Sequence, residues 1–216
     1  MFKRGRATAP AAVPQVDWRG VTAFEVGTTV LRKRRGRRKP VTGRLAVRVP
    51  TGDPDDPVLA PCAYFAPHVA ASVAASRLYT DEDAQHVLLR IGPRQRDGED
   101  ELRTITDADG GEIGVIRRVP PEHHLVRHTW VLSQPGRPDI TGKTVGVGRR
   151  GGRMQRDLIS GLRGLDGGEN AHLARTIMWH ARDELVMTTR AFGVTVISAD
   201  WLDRRLAFAY AMLADR

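Results

Sequence analysis

At 216 residues the chain is long enough for one large domain or two small ones, and an apolar fraction of 41% supports a true core. Its net charge of +9 resides in the first forty residues, where eleven Lys/Arg face only Asp17 and Glu25; the remaining residues carry equal numbers of each sign. The single cysteine, Cys62, excludes an intramolecular disulfide and any cysteine-built zinc site.

Residues 1–16 are charged and then Ala/Pro-rich, with almost nothing to bury, and are expected to be disordered. No apolar stretch there has the length of a signal peptide, and no segment of the sequence reaches transmembrane length. A reduced, cytoplasmic setting is expected. From Val21 to Leu31 the β-branched residues Val21, Thr22, Val26, Thr28, Thr29 and Val30 predict a strand. Leu45, Val47 and Val49 alternate with Arg44, Ala46 and Arg48, the pattern of a half-buried strand. Between them runs Arg32-Lys33-Arg34-Arg35-Gly36-Arg37-Arg38-Lys39, so this region reads as a hairpin with a basic tip. Residues 51–57 form an acidic loop with two prolines. Val69–Ser76 is Ala-rich and reads as a short helix.

From Leu78 the texture becomes strand–turn–strand. Leu78–Ile91 is one unit, and Leu102–Ile116 is a second, turning at Asp107-Ala108-Asp109-Gly110-Gly111, whose residues tolerate positive φ. Trp130–Gly142 is a third, turning at Pro135-Gly136. Gly146–Gly168 carries eight glycines and reads as an excursion, with a helical turn over Arg153–Leu162. Ile177–Trp179, Glu184–Thr189 and Gly193–Ile197 are the last predicted strands. Near its end comes Leu206–Ala214, nine residues with no polar face. A surface helix shows a polar stripe. Nine residues rise only ~14 Å, too short for a bilayer. The segment therefore predicts a helix surrounded by protein, with Asp200 as its N-cap.

Three features carry a family resemblance: Thr106–Ile116 with its D-x-D-G turn, Trp130–Gly142, and Val194–Leu213, a last strand followed by the wholly apolar helix. This order resembles the tubby C-terminal-like superfamily, which includes the tubby proteins, the phospholipid scramblases and the plant LURP-one-related proteins. The resemblance covers residues 78–216. It implies a mainly β fold, a closed antiparallel barrel around a C-terminal apolar helix, with residues 17–216 as one domain. The barrel interior is expected to be lined by Ile113, Val115, Val131, Val194 and Val196.

The strongest charge feature is the set Arg32, Lys33, Arg34, Arg35, Arg37, Arg38 and Lys39. Such a cluster attracts polyanions through counterion release, or anionic headgroups at about 1 kcal/mol per basic residue near the surface. The bland alternative is a solvated loop. Only four of the 34 basic residues are lysine, and Asn170 is the lone asparagine, as in a GC-rich bacterial genome. Arginine abundance alone is then a weak functional sign. The family includes phosphoinositide binders, which favours lipid; no family binding residue maps onto a matching position.

Other motifs fail on context. Gly136–Thr144 resembles a phosphate loop but has five residues between its glycines and no helix after it. Gly146–Gly151 matches a dinucleotide fingerprint without the parallel strand–helix–strand frame. Asp107 and Asp109 would start a calcium loop, but its twelfth position is Arg118. His123, His124 and His128 read as loop histidines between Pro121 and Trp130. Ser133, Ser160 and Ser198 stand in no nucleophile setting. The sequence thus predicts a non-enzymatic binding module for an anionic ligand, most directly phospholipid headgroups at the inner membrane face, with no metal or cofactor. The alternatives are a protein-interaction scaffold and nucleic-acid binding through the same basic tip.

Overall fold

Short runs of β-branched and aromatic residues punctuated by Gly, Pro and Asp turns pair into one antiparallel sheet. The computed structural model describes residues 13–31, 41–53, 57–65, 76–121, 129–145, 176–190 and 194–214. Strands β1 (Ala23–Leu31) and β2 (Val41–Thr51) form the expected hairpin. They are followed by β3 (Val58–Phe65), β4 (Ser76–Tyr79), β5 (Val87–Ile91), β6 (Gln95–Asp97), β7 (Asp100–Thr106) and β8 (Glu112–Val119). Then come β9 (Thr129–Ser133), β10 (Ile140–Val145), β11 (Thr176–Ala181), β12 (Glu184–Arg190) and β13 (Thr195–Ile197), and finally helix α1 (Arg204–Ala214). The proposed Ala-rich helix lies, apart from Ser76, outside the described residues, as do the helical turn at 153–162 and residues 1–12.

Neighbouring strands run in the order β5-β4-β3-β2-β1-β13-β12-β11-β10-β9-β8-β7. The ring closes where β5 meets β7, at Arg90–Thr106 and Ile91–Ile105. The result is a closed twelve-stranded antiparallel barrel, with β6 added along β7 at one rim. Closure leaves the ring no unpaired edge. Eight strands already enclose an interior that side chains fill, so twelve need a larger plug.

Helix α1 is that plug. Leu206, Ala207, Phe208 and Ala209 are wholly buried, and Tyr210, Ala211 and Met212 nearly so. Its contacts lie on widely separated strands of the ring. Phe208 meets Phe24 of β1 edge-on at 4.8 Å; Tyr210 lies 4.4 Å from Trp179 of β11 and 5.5 Å from Trp130 of β9. The helix also packs on β5 and β8. Two glycines make room. A Cβ on Gly114 would stand 2.3 Å from the Ser133 carbonyl oxygen and 3.2 Å from Leu206, and one on Gly142 would stand 2.9 Å from three ring atoms of Trp179. The buried indole of Trp179 donates to Thr189 Oγ1 at 3.2 Å.

The interior reading holds at Ile113, which belongs to the core, and Val194 is buried in a separate pair with Leu59, but the register differs by one residue at Val115, Val131 and Val196. Gly114, Ile116, Leu132, Thr195 and Ile197 face the helix, while Val115, Val131 and Val196 are only half-buried on the outer face. Valine suits either face of a strand, so alternation alone left the parity open. The helix also begins later than expected. Asp203, not Asp200, caps it, accepting from the Arg205 N–H at 2.9 Å, and Gln134 accepts from the Asp203 N–H. Arg204 then closes this end of the barrel by donating to the carbonyls of Val21, Ala199, Asp200 and Leu202. The DADGG segment is a hairpin turn, with Asp107 Oδ1 accepting from the N–H groups of Asp109 and Gly111.

Candidate functional site: a hairpin folded back on the barrel

The basic tip, Arg32, Lys33, Arg34, Arg35, Arg37, Arg38 and Lys39, lies outside the described residues. The strands on either side of it, which end at Leu31 and begin at Val41, are described. Thr51 at the end of β2 pairs with Val58, and Val41 at its start pairs with Leu31. A straight strand would hold Val41 and Thr51 about 33 Å apart. Yet Leu31 also pairs with Val58. The hairpin must therefore bend back over the outside of β3. The bend coincides with register irregularities between Gly27 and Thr29 and between Thr29 and Leu31.

Arg48 pins the fold-back. Its side chain is 2% exposed although it lies on the outer face, opposite Glu25. Its Nε donates to the Gly27 carbonyl at 2.9 Å, Nη1 to Leu59 at 3.1 Å and Nη2 to Arg44 at 2.6 Å. One guanidinium thus ties together both arms of the hairpin and the strand beneath. Burial lowers its pKa from the ordinary value, while Tyr64, Glu25 and Glu82 act to raise it. Gly43 permits the close approach, because a Cβ there would stand 3.1 Å from Arg48 Nη2 and 3.2 Å from Val30 Cγ2. Arg44 adds a second tie by donating to the Glu82 carbonyl in the β4–β5 turn. Tyr64 is buried beneath, and burial raises its pKa, as does Glu82.

The fold-back gives the hairpin an asymmetric surface. Leu45 is the one exposed large hydrophobic side chain among the described residues, at 37%. It stands six positions after Lys39, on the strand that carries the tip away. Phe24, the aromatic residue nearest the tip in the sequence reading, is 1% exposed and points into the barrel against Phe208.

The other concave features are structural. A groove of about 390 Å³ at the helix N-terminal end is lined by Trp18, Arg19, Thr22, Asp200, Asp203 and Arg204, among others. The Trp18 ring is already covered by Arg19 at 4.8 Å and Arg205 at 5.2 Å. The histidine group His123, His124 and His128 lies outside the described residues. No group of three or more His, Cys, Asp or Glu placed to hold a metal occurs among the described residues. Sequence reasoning located the basic tip but missed Arg48 and Leu45. Leu45 was visible as an apolar residue of an alternating strand, yet was assigned to the buried set.

The described residues define a closed β-barrel plugged by helix α1, with the β1–β2 hairpin folded back on its wall. No protein-family model, curated protein or solved structure matches this chain. Among the described residues no helix is long and apolar enough to cross a membrane.

Proposed function

We propose that the chain is a non-enzymatic binding module of the tubby C-terminal-like type that docks on anionic phospholipid headgroups at the inner face of the membrane. Residues 32–39 supply the electrostatic attraction, and the hairpin that carries them supplies an apolar anchor. The observation that carries the reading is Leu45, an exposed leucine on the strand leaving the basic tip. Positive charge a few residues in sequence from a solvent-facing apolar side chain suits a bilayer interface, where headgroups are anionic and the acyl boundary begins a few ångströms below. Nucleic-acid binding would want exposed aromatic rings for base stacking, and Phe24 is inside the barrel. The plugged barrel supports the family reading, because a closed antiparallel barrel around an apolar C-terminal helix is what the resemblance implies.

Co-sedimentation with vesicles tests the proposal. The protein should pellet with vesicles containing phosphatidylserine, weakly or not at all with phosphatidylcholine alone, and progressively less as salt is raised. A variant with Arg32, Lys33, Arg34, Arg35, Arg37, Arg38 and Lys39 replaced by serine should remain in the supernatant. Equal pelleting of the two proteins, or no pelleting at low salt, would overturn it.

A further inference from the structure

Strand β3 has β2 along one edge. Its other edge is met by three segments distant in sequence. β4 pairs there at Tyr64 and Phe65, and Leu31 pairs at Val58. Between them the Val16 N–H donates to the Pro61 carbonyl at 3.0 Å. Val58 and Pro61 are three residues apart, about 10 Å along a strand. The segment 13–17 therefore lies beside the end of β1, whose last residue, Leu31, precedes the basic run.

A second pair of ties gives the same neighbourhood independently. The turn between β4 and β5 offers two carbonyls, Thr80 and Glu82, to different parts of the chain. Gln15 Nε2 donates to Thr80, and Arg44 Nη1 donates to Glu82. Arg44 is the neighbour of Leu45, the exposed leucine of the hairpin. One turn thus holds the lead-in segment and the strand bearing the apolar anchor side by side. The lead-in is fixed further by the Val16 side chain, which packs on the barrel core, and by Trp18, whose ring lies 5.2 Å from the Arg205 guanidinium.

The chemistry of the residues upstream suits that position. Residues 1–12 hold Lys3, Arg4 and Arg6 and no acidic residue. Twelve residues span at most about 40 Å, so tethering at Val13 keeps these cations at a high effective concentration near the hairpin. The turn itself carries Asp81, Glu82 and Asp83, of which Glu82 and Asp83 are exposed. A surface that meets Leu45 also meets these acids. Three tethered cations offset them and turn the balance on this side of the barrel positive.

We propose that Lys3, Arg4 and Arg6 are a second basic element of the membrane-docking face, binding anionic headgroups together with residues 32–39 and delivered there by the ties at Gln15 and Val16. The inference rests on the membrane-docking proposal and enlarges its site.

Co-sedimentation of the full chain with phosphatidylserine-containing vesicles at low salt tests it. Lys3, Arg4 and Arg6 are replaced together by serine. Each basic residue near such a surface changes partitioning roughly fivefold, so this variant should bind at least about tenfold more weakly than wild type while melting at the same temperature. A polarity-sensitive fluorophore on Pro14→Cys, with residues 1–12 native, should shift to the blue on the same vesicles. A triple variant that binds as wild type does would overturn the inference and leave docking by the hairpin intact. So would a Pro14→Cys probe that stays unshifted while a Leu45→Cys probe shifts. Wild type that fails to bind would remove membrane docking altogether, and this inference with it.

Discussion

Replacing Phe208 by alanine tests whether α1 is enclosed by the barrel. Phe208 is fully buried, and its ring meets Phe24 of β1 at 4.8 Å with an interplanar angle of 83°. Truncating a buried phenylalanine removes its transfer free energy and leaves a cavity that a closed barrel cannot collapse to fill, together about 3–5 kcal/mol. For a domain of this size that corresponds to a fall in melting temperature of roughly 6–20 °C. Phe24→Ala should cost a similar amount. Because the two rings touch edge-to-face, the double variant should be less destabilised than the sum of the singles, by about 0.5–1.5 kcal/mol. Urea denaturation followed by far-ultraviolet circular dichroism measures all three variants. A Phe208→Ala protein within ~0.5 kcal/mol of wild type would refute the argument, since that is the behaviour of a surface residue. Strict additivity would show that the helix does not pack on β1.

Arg48→Met keeps much of the stem but leaves the carbonyls of Gly27, Leu59 and Arg44 without their donor. The expected cost is about 3 kcal/mol or more, with faster amide exchange at Leu31 and Val58, whose pairing depends on the fold-back; unchanged exchange there would show that Arg48 does not hold the hairpin. Burial pushes the Cys62 thiol from its ordinary value of 9.0 up to about 12. Because its folded pKa is raised, the stability Cys62 contributes is complete below about pH 9 and is lost as pH rises toward 12. Wild type should therefore lose stability more steeply than Cys62→Ala across that window, as read from urea midpoints, and parallel decay would contradict it.

The plug and most of its wall were legible before the structure. Leu206–Ala214 lacks a polar face, which leaves burial on all sides as the only soluble solution, and the DADGG and Pro-Gly turns marked two hairpins directly. β3 was not legible. Seven of the eight residues Val58–Phe65 are buried, since the inner face meets the core and the outer face lies under the folded-back hairpin, so period-two alternation is erased and Pro61 obscures the rest. The parity of Val115, Val131 and Val196 was ambiguous because a barrel wall accepts valine on both faces. The basic tip announced itself as a run, while its placement depends on a Leu31–Val58 pair distant in sequence and on a buried arginine that reads as a polar position.

The most direct test of membrane docking by the hairpin is a polarity-sensitive fluorophore attached at Leu45→Cys. Cys62 is fully buried with its thiol held protonated, so labelling under native conditions is confined to position 45. Addition of phosphatidylserine-containing vesicles should shift the emission to the blue, and phosphatidylcholine vesicles should leave it in place. Emission that stays unchanged with both vesicle types, while the protein remains folded, would contradict insertion of Leu45 and with it the proposed mode of binding.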